Sequence, residues 1–144
     1  MSTLLEVADL RVTLPTAQGR FAALRGVSFT LDRGGTLGLA GESGCGKSLT
    51  ALALMGLLPE GAAVTGSIRF DGRELTALDD AAMGALRGDR IGMVFQEPMT
   101  ALNPVMTCGE QIDEVLQEHT KLSPAERARK VLDIVREVLL PEPE

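Results

Sequence analysis

One octapeptide constrains this chain more than any other stretch: Gly41-Glu-Ser-Gly-Cys-Gly-Lys-Ser48, with the spacing G-x-x-x-x-G-K-S. Its three glycines allow the backbone to turn tightly and to approach a polyphosphate without a side chain in the way. Successive N–H groups then face one concavity that suits an anion, and a helix starting near Lys47 adds the positive end of its dipole. The spacing therefore predicts a P-loop that binds nucleotide phosphates.

Each position of the octapeptide has a predicted role. The Lys47 ammonium is expected to reach the β- and γ-phosphates, and the Ser48 hydroxyl to bind Mg²⁺. The predicted cofactors are therefore ATP and Mg²⁺. The predicted ATP-binding residues are the whole loop and the residue after it: Gly41, Glu42, Ser43, Gly44, Cys45, Gly46, Lys47, Ser48 and Leu49.

The flanking segments support this prediction. Residues 36–40 are predicted to form a short buried strand that enters the loop, and residues 48–58 a helix that leaves it. Strand, glycine-rich loop and helix is the order that the motif requires. The alternative, a chance glycine-rich turn containing a lysine, is disfavoured because spacing and flanks agree.

Composition limits the remaining possibilities. The 144 residues suffice for one domain, and with four Phe and no Trp or Tyr its core must be aliphatic. The net charge of -6 and the absence of a basic stripe argue against nucleic acid as the main partner. The longest apolar run, residues 49–58, is too short to span a bilayer. The N-terminus has no basic region and an early acid, so the protein is expected in the cytoplasm unless a partner holds it at a membrane.

The two cysteines, Cys45 and Cys108, show no metal-like spacing, and a disulfide is not expected between them in that compartment. Cys108 is interpreted as a small packing residue. For Cys45 two hypotheses stay open. Lys47 and the helix N-terminus could make it a reactive thiol, or it could simply fill a variable position of the loop.

Strand patterns lie on both sides of the octapeptide. Residues 4–14 and 27–31 are predicted strands, separated by a turn at 15–19, so two antiparallel strands precede the phosphate-loop strand. Residues 65–70 are a further predicted strand, followed by the turn signal Asp71-Gly72. Residues 79–86 have the spacing of a short helix, and residues 90–95 form an apolar run typical of a buried parallel strand.

Gln96 stands at the end of this last predicted strand. Ligands in open α/β sheets bind at the carboxyl ends of strands, so Gln96 is predicted to face the phosphate site, to orient water and to give an oxygen to Mg²⁺. The alternative is a plain polar loop residue.

The rest of the chain is predicted to be helical: residues 109–117, and a second helix introduced by the capping box Ser123-Pro-Ala-Glu126. His119 is interpreted as a surface residue.

Several segments together resemble the ATP-binding-cassette (ABC) ATPases. The octapeptide resembles their Walker A motif, residues 66–72 a strand of their core, and residues 90–98 their Q-loop, with Gln96 as its glutamine. Residues 96–104, Gln-Glu-Pro-Met-Thr-Ala-Leu-Asn-Pro, are similar to the ATPases of dipeptide, oligopeptide and nickel importers. The resemblance implies an α/β P-loop NTPase fold: an ABC-ATPase core with an N-terminal antiparallel β subdomain in residues 1–96, and the Q-loop and start of a helical subdomain in residues 97–144.

The resemblance also implies partners. Two ATPase domains pair head to tail around two ATP molecules and act on a membrane permease, which receives a di- or oligopeptide from a solute-binding protein. The protein would lie on the cytoplasmic face of the plasma membrane.

The family stacks an aromatic ring on adenine. Gln18 occupies the position of that ring by simple alignment. The nearest aromatic residue, Phe21, is therefore the candidate for stacking on adenine.

Three family features have no counterpart in this sequence: the Leu-Ser-Gly-Gly-Gln signature, an apolar strand ending in Asp-Glu (Walker B), and a switch histidine, since His119 stands too early. We therefore expect an incomplete, N-terminal part of such an ATPase, with its predicted core strands left unpaired and turnover near background. The alternatives are an ATP-binding remnant that does not hydrolyse ATP, or another P-loop NTPase such as a nucleotide kinase.

Overall fold

The computed structural model describes residues 2–95 and 102–139, and its contacts divide the chain into two compact units, Met1–Gly84 and Ala85–Glu144. The subdomain boundary predicted between residues 96 and 97 lies outside the described residues, so it stays a prediction.

The first unit is built on an antiparallel sheet. Its strands are β1 (Thr3–Thr16), β2 (Gly19–Asp32), β3 (Ala63–Phe70) and β4 (Arg73–Glu74), in the spatial order β2-β1-β3-β4. The β1–β2 hairpin confirms the predicted pair of antiparallel strands. A tight turn at Asp71-Gly72 joins β3 to β4, as the turn signal predicted.

The sheet contributes most of the core of this unit through the central strand β1. Val7, Leu10 and Val12 are buried, and Leu24 of β2 and Ile68 of β3 join them. Burying one such side chain stabilises the fold by about 1.5–3 kcal/mol. Regular alternation would not bury both Val7 and Leu10. They share a face because β1 carries one extra residue between them relative to both neighbouring strands, next to Asp9 at φ 47°.

The first unit also contains two helices, α1 (Lys47–Leu54) and the short α2 (Asp80–Gly84). Helix α1 buries Thr50 and Ala53. It is shorter than the predicted 48–58 helix, because the chain turns into the left-handed conformation at Gly56, where φ is 64°. Helix α2 confirms the predicted short helix, over fewer residues.

The second unit contains a helical hairpin formed by α3 (Cys108–His119) and α4 (Pro124–Glu137). The predicted capping box at Ser123 is present, with proline in the first turn of α4. Helix α4 buries Val131 and Val135, and an ion pair joins it to α3, with Nε of Arg127 2.8 Å from Oδ1 of Asp113.

Two predicted strands are wrong. Residues 36–40 form no strand, and Leu37 and Leu39 are 42% and 45% exposed instead of buried. Of residues 90–95, only Ile91 makes a strand-like contact, an isolated parallel bridge to Arg87. A buried parallel strand needs a neighbouring strand along its length, and within residues 2–95 and 102–139 no strand pairs with residues 36–40, while residues 90–95 have the single bridge at Ile91.

Candidate nucleotide-binding site

The glycine-rich loop is fixed against the sheet at Gly46. This residue adopts φ 101° as the N-cap of α1, a conformation that favours glycine. A Cβ atom at Gly46 would lie 2.4 Å from Cδ2 of Leu24, so strand β2 and the loop are in close contact there. Gly44 has φ 78°, and a Cβ atom there would meet nothing within 4 Å. The loop is therefore anchored on its sheet side and open at Gly44.

The Lys47 side chain folds back over the loop. Its Nζ donates hydrogen bonds to the carbonyl oxygens of Gly41 and Glu42, each at 2.8 Å, and contacts Sγ of Cys45 at 3.5 Å. An ammonium group has three donors, and these contacts use all of them. The sulfur is the weakest of the three acceptors. A phosphate oxygen can therefore take its place while the two carbonyl contacts keep the ammonium in position.

The N-terminus of α1 differs from those of the two longer helices. Thr107 and Glu110 form a complete capping box on α3, and Ser123 and Glu126 form one on α4. Backbone and side-chain hydrogen bonds from Thr107 lower the pKa of Glu110, and the Ser123 side chain and backbone lower the pKa of Glu126. Helix α1, by contrast, starts at Gly46 without a side-chain cap. Its first N–H groups and the positive end of its dipole are thus available to an anion.

Residues around this terminus have the chemistry that Mg²⁺ and a polyphosphate require. Ser48 is exposed in the first turn of α1, so its hydroxyl offers the hard oxygen ligand that Mg²⁺ prefers. Glu42, Ser43 and Cys45 are exposed on the loop, and Leu49 is half-buried. The residues present therefore fit both ATP and Mg²⁺.

Phe21 lies on the same side of β2 as the glycine-rich loop. Strand β2 carries an extra residue at Ala23, so Leu24 pairs with Val12 while Phe21 pairs with Leu14. Because Val12 and Leu14 are two residues apart on β1, they face the same side, and so do their partners. Leu24 contacts the loop at Gly46, which places the Phe21 ring, 54% exposed, on that side too.

Gln96, the predicted water- and Mg²⁺-positioning residue, lies outside the described residues, so its role stays a prediction. His119 is the last residue of α3 and packs beside Gly88, where an added Cβ atom would lie 2.8 Å from its Nε2.

Two residues that support the loop were not singled out from the sequence. The buried Thr50 donates a hydrogen bond from Oγ1 to the carbonyl oxygen of Gly46 at 2.9 Å, and Leu24 packs against the same glycine. A threonine four residues after the N-cap glycine is a local signal for the first contact. The contact with Leu24 depends on a strand bulge that no local pattern indicates.

Comparison with known proteins shows the family of the chain. Residues 24–142 match the profile described as ABC transporter. The chain belongs to the ABC transporter family.

Among curated ABC proteins, the oligopeptide transport ATP-binding protein OppD of Salmonella typhimurium is 48% identical over 141 residues, 98% of this chain and 42% of that protein. OppD of Bacillus subtilis is 44% identical over 146 residues, 100% of this chain and 41% of that protein. The dipeptide transport ATP-binding protein DppD of Bacillus subtilis is 46% identical over 145 residues, which are 99% of this chain and 43% of that protein. The chain thus spans about two-fifths of the length of these relatives.

Solved ABC structures share the fold. The ATP-binding cassette MJ0796, in a dimeric post-hydrolysis state bound to ADP and Pi, superposes with a TM-score of 0.81 at 25% identity, over 96% of this chain and 59% of that one. A second dimeric structure of that bacterial ABC transporter cassette superposes with a TM-score of 0.80 at the same coverage.

Within residues 2–95 and 102–139, no helix is both long and apolar enough to cross a membrane.

Proposed function

We propose that this chain is the nucleotide-binding part of an ATP-binding subunit of an ABC importer for dipeptides or oligopeptides. The observation that carries the proposal is the uncapped N-terminus of α1, with Lys47 held over the glycine-rich loop by the carbonyl oxygens of Gly41 and Glu42. The names of the relatives, oligopeptide and dipeptide transport ATP-binding proteins, support the choice of solute.

The roles follow from the geometry of the loop. The N–H groups of the loop and of the first turn of α1 bind the phosphates, and Lys47 neutralises charge on the β- and γ-phosphates. Ser48 holds Mg²⁺, which would neutralise developing charge on the γ-phosphate. Phe21 stacks on adenine from the β2 side of the loop. Gln96 orients water and gives an oxygen to Mg²⁺.

The partners follow from the same proposal. A second ATPase subunit pairs with this one, a membrane permease receives the resulting motion on the cytoplasmic face of the plasma membrane, and a solute-binding protein delivers the peptide to that permease. The dimeric state of MJ0796 supports the pairing.

For the 144-residue chain itself we propose nucleotide binding with turnover near background. Positioning and electrostatics supply most of the catalysis of phosphoryl transfer. The sequence contains neither an Asp-Glu strand end nor a Leu-Ser-Gly-Gly-Gln stretch to contribute to them.

Lys47→Ala tests the proposal, with Lys121→Ala as the control because Lys121 is an exposed lysine of the second unit. Binding of a fluorescent ATP analogue with Mg²⁺ should become at least about tenfold weaker in Lys47→Ala, since one charge-assisted contact contributes about 1.5–3 kcal/mol. Lys121→Ala should bind like the unmodified chain. Equal affinity in Lys47→Ala and the unmodified chain would show that the loop is not the binding site.

A further inference from the structure

A single side chain fixes the loop that precedes α3. The loop is Asn103–Thr107, and the side chain is the amide of Gln111, the fourth residue of α3. The Asn103 N–H donates to Oε1 of Gln111 at 2.9 Å, and Nε2 of Gln111 donates back to the Asn103 carbonyl oxygen at 3.2 Å. The side-chain amide therefore pairs with Asn103 through both a donor and an acceptor, as a neighbouring peptide group would.

The same amide reaches the far end of the loop. Nε2 of Gln111 lies 3.3 Å from the carbonyl oxygen of Met106 and 3.4 Å from that of Thr107. Inside the loop, the Val105 N–H donates to Oδ1 of Asn103 at 3.2 Å, and the Met106 N–H donates to the Asn103 carbonyl oxygen, also at 3.2 Å. Thr107 is also held by the capping box with Glu110, but the Gln111 side chain is the group that bonds to both Asn103 and the Met106–Thr107 end of the loop.

We propose that Gln111 is a positioning residue that holds Asn103–Thr107 in one conformation on α3. The loop carries the apolar side chain of Val105, 87% exposed at the surface of the second unit, and Leu102, 46% exposed, directly precedes it. The loop follows the predicted Q-loop in the sequence. Any part that this surface plays in transport rests on the proposed function. The clamp itself needs no nucleotide.

Two substitutions separate the clamp from a general effect on the helix. Gln111→Leu keeps a side chain of similar size and removes every hydrogen bond of the amide. Gln111→Glu keeps the acceptor for the Asn103 N–H but places a carboxylate oxygen against carbonyl oxygens, which repels them. Gln117→Leu is the matched control, because Gln117 is an exposed glutamine on the same helix.

The experiment is amide hydrogen exchange on the 144-residue chain and its three variants. In Gln111→Leu the Asn103 N–H loses its acceptor, and in both variants the Val105 and Met106 N–H groups, which bond to Asn103, lose the support of the Gln111 amide, so these amides should exchange about tenfold faster. The amides in the middle of α3 serve as an internal reference and should keep their rates, and Gln117→Leu should match the unmodified chain.

Three results would overturn the proposal: unchanged loop exchange in Gln111→Leu, loop protection retained in Gln111→Glu, or an equal rise across all of α3, which would mean that Gln111 only stabilises the helix. Nucleotide binding measured on the same samples keeps the two proposals apart. An unmodified chain that does not bind ATP contradicts the proposed function and leaves the clamp intact.

Discussion

Cys45 and Cys108 are both exposed thiols, so their reactivities can be compared within one molecule. Both lie at a helix N-terminus, Cys45 beside α1 and Cys108 at the first position of α3, but Cys45 also has the Lys47 ammonium 3.5 Å from its sulfur. A lysine ammonium against a cysteine sulfur promotes the attack of that sulfur on electrophiles. We expect iodoacetamide to label Cys45 several times faster than Cys108, and Mg·ATP to protect Cys45 alone. Mass spectrometry of the labelled peptides measures both rates. Equal rates without protection would leave Cys45 as a residue that merely fills the loop.

The hydrogen bonds around Glu74 shift the pKa of its carboxyl group. Partial burial raises the pKa of its carboxyl group, but hydrogen bonds from the side chains of Ser67 and Thr76 and from the N–H groups of Ile68 and Thr76 outweigh this and lower the pKa to about 2 from an ordinary 4.5. A carboxyl group with a lowered folded-state pKa stabilises the fold above its unfolded pKa. That contribution is lost as the pH falls from about 4.5 towards 2.

The prediction for Glu74 concerns the pH dependence of stability. At pH 7, Glu74→Gln should lower the free energy of unfolding by about 1–2 kcal/mol, after allowance for solvent screening of a partly exposed group. The difference from the unmodified chain should shrink steadily below pH 4.5. Urea unfolding at pH 7, 4 and 3 measures it, with Glu60→Gln as an exposed control that should show no such trend. A difference that stays constant over this range would contradict the assignment.

At the scale of elements, the bulge in β1 depends on the backbone of β3. Gly66 of β3 has φ 95°, and a Cβ atom there would lie 2.4 Å from the Asp9 carbonyl oxygen and 2.7 Å from that of Ala8. Only glycine allows this approach. The bulge in turn brings Val7 and Leu10 onto one face, so the close contact supports the core of the first unit.

Gly66→Ala should therefore destabilise the first unit more than Gly72→Ala does. Gly72 has φ 79° and nothing within 4 Å of an added Cβ atom, so its replacement adds backbone strain without a clash. We expect Gly72→Ala to cost about 1 kcal/mol and Gly66→Ala about 3 kcal/mol or more in free energy of unfolding. Urea denaturation of both variants gives the comparison. Equal losses would show that β3 can move away from Asp9 without harm to the core.

At the scale of the whole molecule, local sequence rules predicted the features that local contacts build. The hairpin of β1 and β2, the turn at Asp71-Gly72, the start of α1 and the capping box at Ser123 each depend on residues close in sequence. All four are confirmed. The general plan of the candidate site followed from the octapeptide for the same reason.

Features that depend on contacts distant in sequence were missed or wrong. Residues 36–40 have the pattern of a buried strand, but a strand also needs a partner, and the described part of the chain pairs none with it. The bulges at Asp9 and Ala23 depend on close packing across β1, β2 and β3. No local pattern indicates them, although the bulge at Ala23 decides which side of β2 carries Phe21.

The same unpaired segments lead to a prediction for the chain in solution. Leu37 and Leu39 are 42% and 45% exposed, and Val94 and Phe95 are 95% and 44% exposed. Extended apolar segments without strand partners promote association between molecules. We expect the 144-residue chain to bind an apolar dye such as ANS, to elute above the mass of a monomer, and to melt over a broad range.

A double variant identifies the segment responsible. Leu37→Thr with Leu39→Thr should lower dye binding and self-association several-fold, because both side chains lie on the unpaired stretch. Leu57→Thr serves as the control: it changes the same kind of side chain at 41% exposure, outside that stretch, and should have little effect. Light scattering and dye fluorescence measure the outcome. A monomer that melts sharply and binds no dye would show that these side chains are covered in solution, which would contradict their exposure in the structure.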